Sequence, residues 1–255
     1  MPSSVAVDLE DFVSGLQDAG DRLGRAAASC ALDEPVPTCP EWSVRDLVAH
    51  ICGVHRWATS FVSKGKPEPD PAEEAAYFAP VPDHELLAHY HAGLDNLVTA
   101  LSDADPGLQC WTFLPAPSPL LFWARRQAHE TAIHCADAEA AARWPSQFSS
   151  ELSLDGIDEL LHCFFGRSRG TLVSDPPVTL AVEPTGSRRG WSIRIEPDRR
   201  VVTDGVGVAD CRVSGPATDL YLLLWNRRAL GGPIVVEGDT RVLEHWREGG
   251  RIRWS

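Results

Sequence analysis

Glu130 and His134 stand one helical turn apart in RRQAHETAIHCADAEAAARW, and His50 stands within a second helical stretch, WSVRDLVAHICGVHRWA. Positions i and i+4 of an α-helix share a face, with Cβ atoms roughly 5–6 Å apart, so Glu130 and His134 can converge on one ion. His50 supplies the third ligand from a neighbouring helix. Two imidazoles and a carboxylate suit zinc, and three protein ligands leave a coordination position open for water, a thiolate or a substrate. The same spacing also describes an ordinary Glu–His surface pair. Small and apolar neighbours surround both sites: Ala128, Thr131, Ala132 and Ile133 about the pair, and Leu47, Val48, Ala49 and Ile51 about His50. In such packed surroundings a carboxylate or imidazole is costly without a partner.

The remaining histidines are sorted by angle. At about 100° per residue, His129 and His134 point apart, so HETAIH is not the metalloprotease HExxH. His55 lies the same five positions beyond His50 and reads as a rim or surface histidine. His84, His89 and His91 fall on a helix of mixed polarity and are not read as ligands.

The elements that must position these groups follow from patterning. An amphipathic helix is expected over residues 5–30 through Val5, Leu9, Phe12, Leu16 and Leu23. Ser43 with Asp46 makes a capping-box start for a helix that carries His50 and Trp57 to about Ser63. KGKPEPDPAEEAAYFAPVP, dense in proline and acid, reads as a loop. A third helix is expected from Pro82 to Leu101, and a fourth from Pro119 to Trp144. Four helices with long connections predict a bundle whose core holds a metal. After Ser149 the texture changes. A helix over Leu154–Gly166 precedes alternating runs, PVTLAVEP, GWSIRIEP, RRVVTD and DCRVSGP, which read as antiparallel strands. A helix over Ala217–Arg228, the segment GPIVVEGD, a short helix over Val242–Arg247 and a terminal RIRW complete an α+β domain. The predicted domains are 1–148 and 149–255.

With 255 residues the chain is long enough for two cores. A net charge of −13 argues against nucleic acid and anionic membrane as partners, since both demand clustered Lys and Arg. MPSSVAVDLEDFV lacks a basic, apolar leader and no run of about 18 apolar residues occurs, so a cytoplasmic protein is expected. Lysines occur only at Lys64 and Lys66 amid abundant Arg, Ala, Gly and Pro, which is the usage of a GC-rich genome. Seven scattered cysteines without a CxxC indicate neither a disulfide framework nor a thiolate zinc site. They read mostly as small buried hydrophobes.

TCPEWSVRDLVAHICGVHRWA, FWARRQAHETAIHCADAE, DLYLLLWNRRAL and VEGDTRVLEHW together resemble the mycothiol-dependent maleylpyruvate isomerase family of actinobacteria. The likeness spans nearly the whole chain. It implies an N-terminal DinB-like four-helix bundle holding Zn²⁺, or another divalent ion, through His50, Glu130 and His134. A smaller C-terminal domain similar to sterol carrier proteins is implied beside it, with a mainly antiparallel sheet. Mycothiol is the implied thiol cosubstrate. A thiol of pKa about 8.5 loses its proton on coordination to zinc, and the thiolate serves isomerisation of, or S-transfer to, a small electrophile. Relatives include mycothiol S-transferases, so the motifs identify the metal site more sharply than the substrate. Glu41 stands where the family usually has glycine and Cys135 where it often has a basic residue, which puts only the edge of the pocket in question.

Arg227 and Arg228, read at the end of the LLLWN helix, are candidate catalytic groups that clamp a substrate carboxylate. Their competing reading is a favourable interaction with the helix dipole. Arg126, one turn before Glu130, orients that ligand or forms a helix salt bridge, and Asp137, one turn after His134, presents the same choice. Trp42, Trp57 and Trp123 read as interhelix packing. The alternative function is a metal- or small-molecule-binding protein without turnover, and a monomer or weak homodimer is expected.

Overall fold

The computed structural model describes residues 7–166, 172–250 and 252. The N-terminal expectations over residues 1–6, and those for RIRW apart from Ile252, lie outside them. The chain forms two compact units, Met1–Ser146 and Gln147–Ser255, and the fold is α+β.

In the first unit, helix α1 (Leu9–Ala28) opens on a reciprocal capping box between Asp8 and Asp11 and buries Phe12, Leu16, Ala19 and Leu23. Helix α2 (Val44–Lys64) opens on the Ser43–Asp46 box and stops at Gly65, whose φ of 59° is the left-handed conformation that glycine adopts without strain. Helix α4 (Asp83–Asp103) packs on α1 and α2, and Leu94 fits against Gly20, where a Cβ would meet it at 2.5 Å. Helix α5 (Pro119–Ala141) starts at the Ser118 cap with proline in its first turn.

The segment expected to be loop contains a further helix, α3 (Pro71–Tyr77). Asp70 caps it and Pro71 occupies its first turn, so the proline that argued against a long helix starts a short one. It buries no residue. The fourth expected helix ends earlier than Trp144, because Arg143 adopts φ 61° just beyond the Ala142 cap.

Helix α5 is buried on nearly all sides, from Leu120 through Ala141. It therefore lacks the apolar stripe of a surface helix, and its polar residues satisfy one another or neighbouring helices. Glu139 accepts from Arg22 at 2.8 Å, and Thr131 pairs with His55 at 2.8 Å.

In the second unit, helix α6 (Ser150–Asp158) begins four residues before the expected start and continues as a π-helical segment, Glu159–Phe165. Strands β1 (Val178–Pro184), β2 (Trp191–Ile195), β3 (Arg200–Asp204), β4 (Cys211–Gly215) and β5 (Val235–Gly238) form one sheet in the order β3-β2-β1-β4-β5. Three pairings are antiparallel, while β1 and β4 run parallel with Leu180 opposite Cys211. Leu180, Val182, Ile193 and Val213 meet α7 (Ala217–Leu224) and α8 (Thr240–Gly249) in the core, with Leu220, Leu243 and Trp246.

Helix α7 stops at Leu224, short of Arg228. Asn226 adopts φ 60° there, and the amides of Asn226 and Arg227 donate to the carbonyls of Leu223 and Leu222, a Schellman closure. Arg227 and Arg228 thus lie beyond the helix rather than in its last turn. Among the described residues, no helix is long and apolar enough to cross a membrane.

Candidate metal centre

His50 from α2 and Glu130 and His134 from α5 bring one ligand atom each to within 4.8 Å of one another. Both imidazoles point Nε2 at the same oxygen, Glu130 Oε1, at 3.5 Å for His50 and 3.3 Å for His134. A charge-assisted N–H···O⁻ bond closes to about 2.7–2.9 Å, so both contacts are long for a hydrogen bond. Ligand bonds of about 2.0–2.2 Å in tetrahedral geometry place neighbouring donors roughly 3.4 Å apart. The two measured separations match that edge. The donor set and its spacing fit a divalent ion such as zinc.

Each remaining polar atom of the α5 ligands is fixed from behind. Arg126, itself buried, donates from Nη2 to Glu130 Oε2 at 3.0 Å, leaving Oε1 to face the histidines. His134 Nδ1 lies 2.9 Å from Asp137 Oδ2, and Thr38 Oγ1 donates to Asp137 Oδ1 at 2.5 Å. Cys39 Sγ is 3.5 Å from Asp137 Oδ2. A carboxylate on Nδ1 selects the tautomer whose Nε2 carries the lone pair for a metal. Arg126 and Asp137 therefore contact Glu130 and His134 directly, as intrahelical pairs that also hold those two side chains in place.

Electrostatics follow from this packing. Burial by itself would raise Glu130, but the imidazoles of His134 and His50 facing Oε1 and the charge of Arg126 hold its carboxyl well below the usual range. Burial would depress His134, but Asp137 and Glu130 outweigh it and push the imidazole up to about 9. Without an ion, a proton on His134 supplies the positive charge that the two carboxylates attract.

The ligands differ in exposure. Glu130 and His134 are buried, whereas the His50 side chain keeps 20% of its surface, so that histidine sits at the mouth rather than in the fully packed setting its neighbours suggested. Trp42 lies against both imidazoles, 4.9 Å from His50 and 5.7 Å from His134 between ring centres. Phe78, which follows α3, lies 6.4 Å from His50. Trp57 and Trp123 pack in a cluster with Phe61, 5.1 Å apart.

His55 is not at the rim. It is fully buried beside Thr131 and Tyr90, and burial pushes its pKa down to about 3. The five-residue offset does turn it away from the ligands, but away from them lies the α4 interface and not solvent. His129 is likewise buried, against Phe12. Burial raises the thiols of Cys52 and Cys135, which fits their reading as small hydrophobes. Cys39, next to Asp137, is only partly buried and so departs from the reading of the cysteines as mostly small buried hydrophobes.

In the second unit, Arg227 Nη1 donates to the Trp225 carbonyl at 2.9 Å and Arg228 pairs with Asp219. A second His–carboxylate grouping, Asp158, His162 and Asp204, is more open, and Asp158 Oδ1 already accepts from Arg189 at 2.8 Å.

Residues 13–139 match the family model described as the mycothiol maleylpyruvate isomerase N-terminal domain, and residues 151–245 match that of the MDMPI C-terminal domain. Among solved structures, the chain is similar to the crystal structure of the mycothiol-dependent maleylpyruvate isomerase. Identity is 15%, coverage is 92% of this chain and 95% of that one, and the TM-score is 0.63. A histidine-to-alanine mutant of that isomerase matches at 14% identity, with the same coverages and a TM-score of 0.62. No curated protein matches the chain. The two family models together account for both units, and the chain belongs to the mycothiol maleylpyruvate isomerase family.

Proposed function

We propose that this protein is a mycothiol-dependent enzyme whose divalent metal, zinc, is held by His50, Glu130 and His134, and that it isomerises, or transfers the thiol to, a small electrophile. Zinc at this position supplies acidification of a coordinated thiol, so that mycothiol reacts as its thiolate at neutral pH. The observation that carries the reading is the charge balance of the buried centre. Glu130 and Asp137 are anionic and Arg126 is cationic, giving one net negative charge. A divalent ion converts that to one net positive charge, which a single monoanion neutralises. A thiolate is such an anion.

The protein's own groups divide the work. Arg126 restricts Glu130 to one donor oxygen, and Asp137 with Thr38 holds His134 in register, so three donors face a common point and the mouth beside His50 stays open to a ligand. Among the described residues no fourth carboxylate joins that grouping, which favours a nucleophile that the metal itself ionises on binding. Arg227 and Arg228, which contact the Trp225 carbonyl and Asp219 in the second unit, are the candidate groups for a substrate carboxylate.

His134→Ala tests the assignment. The purified protein is expected to carry about one zinc per chain and the variant less than a tenth of that, with mycothiol-dependent turnover lost in parallel. Full metal content in the variant contradicts the ligand set. Full turnover without a thiol contradicts the chemistry.

A further inference from the structure

Two aromatic side chains border His50, and neither is accounted for by holding a metal. Trp42 is partly exposed although its ring lies on both ligand histidines. Phe78 is 47% exposed. A single exposed phenylalanine needs no special explanation, but this one has a seat built for it. Gly53 lies one turn after His50 on α2, and a Cβ there would stand 2.4 Å and 2.6 Å from two Phe78 ring atoms. Glycine inside a helix costs roughly 1 kcal/mol against alanine. That cost is offset here by room for a ring beside a metal ligand.

Phe78 is also held in place by polar contacts. Helix α3, which ends at Phe78, buries none of its own residues. Trp57 Nε1 donates to Glu74 at 2.8 Å, Arg56 donates to the Tyr77 carbonyl at 3.2 Å, and Lys66 pairs with Glu73. These tie the segment to α2 and the residues just after it. Three arginines of α2 and α5 are committed elsewhere, Arg45 to Asp83, Arg56 to backbone carbonyls and Arg126 to Glu130. Beside His50, Trp42 and Phe78 present aromatic surface.

We propose that Trp42 and Phe78 form an aromatic wall at the metal centre that receives a flat, apolar portion of the electrophile, and that these two residues set substrate preference. The inference rests on the proposed thiolate chemistry only for the word electrophile. The substrate class it names is an unsaturated carbonyl compound bearing an aryl or similarly flat apolar group, which stacks on the wall while its double bond faces the thiolate. Bond making is simple addition: the sulfur forms a bond to the β-carbon as the C=C π bond breaks and its electrons move onto the carbonyl as an enolate; rotation about the resulting single bond and expulsion of the thiolate give the isomer, or protonation of the α-carbon by water gives the transfer product. No oxidant or reductant is needed.

The experiment separates binding from reaction. Saturation-transfer NMR on the zinc-loaded full chain uses benzylacetone, a saturated and unreactive aryl ketone, with butanone as the ringless control. Phenyl protons are expected to receive saturation in the parent protein. Affinity should weaken about threefold to tenfold in Phe78→Ala, the range expected for loss of one aromatic contact. Gly53→Ala should weaken it similarly, because it keeps the ring but displaces it while raising helix propensity. Should Phe78→Ala also lose zinc, Gly53→Ala decides. Equal affinity in the parent and both variants, or butanone binding as tightly as benzylacetone, overturns the wall. A parallel assay of mycothiol consumption with benzylideneacetone keeps the two readings apart. Ring-dependent binding with neither mycothiol consumption nor mycothiol-dependent cis–trans isomerisation upholds the wall and removes the thiol chemistry, whereas either reaction proceeding indifferent to Phe78 and Gly53 does the reverse.

Discussion

Replacing Asp137 by asparagine isolates the charge behind His134 with little change of shape. Asp137 is fully buried, its Oδ2 2.9 Å from His134 Nδ1 and its Oδ1 accepting from Thr38 at 2.5 Å. An asparagine can still accept from Nδ1–H through its carbonyl, while the Thr38 hydroxyl rotates to accept from the amide, so the ring keeps its orientation and loses a carboxylate. Removing such a partner costs about 10–100-fold in metal affinity, or roughly 1.4–2.7 kcal/mol. A second effect runs the other way. Asp137 helps hold His134 at about 9, so below that pH zinc must displace a proton from the ligand. At pH 7 that competition weakens binding by roughly 100-fold, two pH units at about 1.4 kcal/mol each. The variant's imidazole is less basic and competes less. Chelator-buffered zinc titration of the parent and Asp137→Asn between pH 6 and pH 9 should therefore show the full deficit near pH 9 and a narrower one at pH 7. Equal affinities at pH 9, or a deficit constant across the range, would refute the argument that Asp137 both orients and charges His134.

Two further outcomes follow from the same structure. Residues 1–148 expressed alone should fold as a helical, zinc-binding unit, since all three proposed ligands and their supports lie within it. Circular dichroism and metal analysis check this, and undiminished turnover by the fragment would remove the role assigned to Arg227 and Arg228. His55 contributes a pH dependence of opposite sign to that of His134. Its folded pKa of about 3 lies below the unfolded value of about 6.5, so the stability it contributes is intact above pH 6.5 and falls as pH drops toward 3, by up to about 1.4 kcal/mol per unit. Denaturant unfolding at pH 7 and pH 5 should show a smaller acid loss for His55→Gln than for the parent, and identical losses would contradict the buried, neutral imidazole.

The grouping of His50, Glu130 and His134 was legible because its strongest clue is local. Glu130 and His134 share a helix face by spacing alone, and the Ser43 box starts the helix that carries His50. The expected α+β class and the helical first unit are the architecture observed. What failed was whatever depended on the surroundings of a helix face. His55 carries the angular signature of a residue turned from the ligands, but spacing cannot say whether that direction leads to solvent or to α4. Helix α5 shows no stripe because nearly every face is buried, and its charged residues pair inside, Arg126 with Glu130, Asp137 with His134 and Glu139 with Arg22 of α1. Helix α3 was hidden by the proline that begins it. The parallel β1–β4 pairing was equally invisible, since parallel and antiparallel strands of this length share one alternation. The seat of Phe78 on Gly53 joins residues of two elements and has no signal in either one.

The central claim is that a metal held by His50, Glu130 and His134 binds mycothiol as a thiolate. Isothermal calorimetry of mycothiol binding to zinc-loaded protein, near pH 7 in buffers of differing ionisation enthalpy, measures it directly. The account predicts release of about one proton per thiol bound, with neither binding nor release in metal-free protein. Mycothiol that binds equally well without the metal, or that binds with no proton released, would contradict it even if zinc were present at full occupancy.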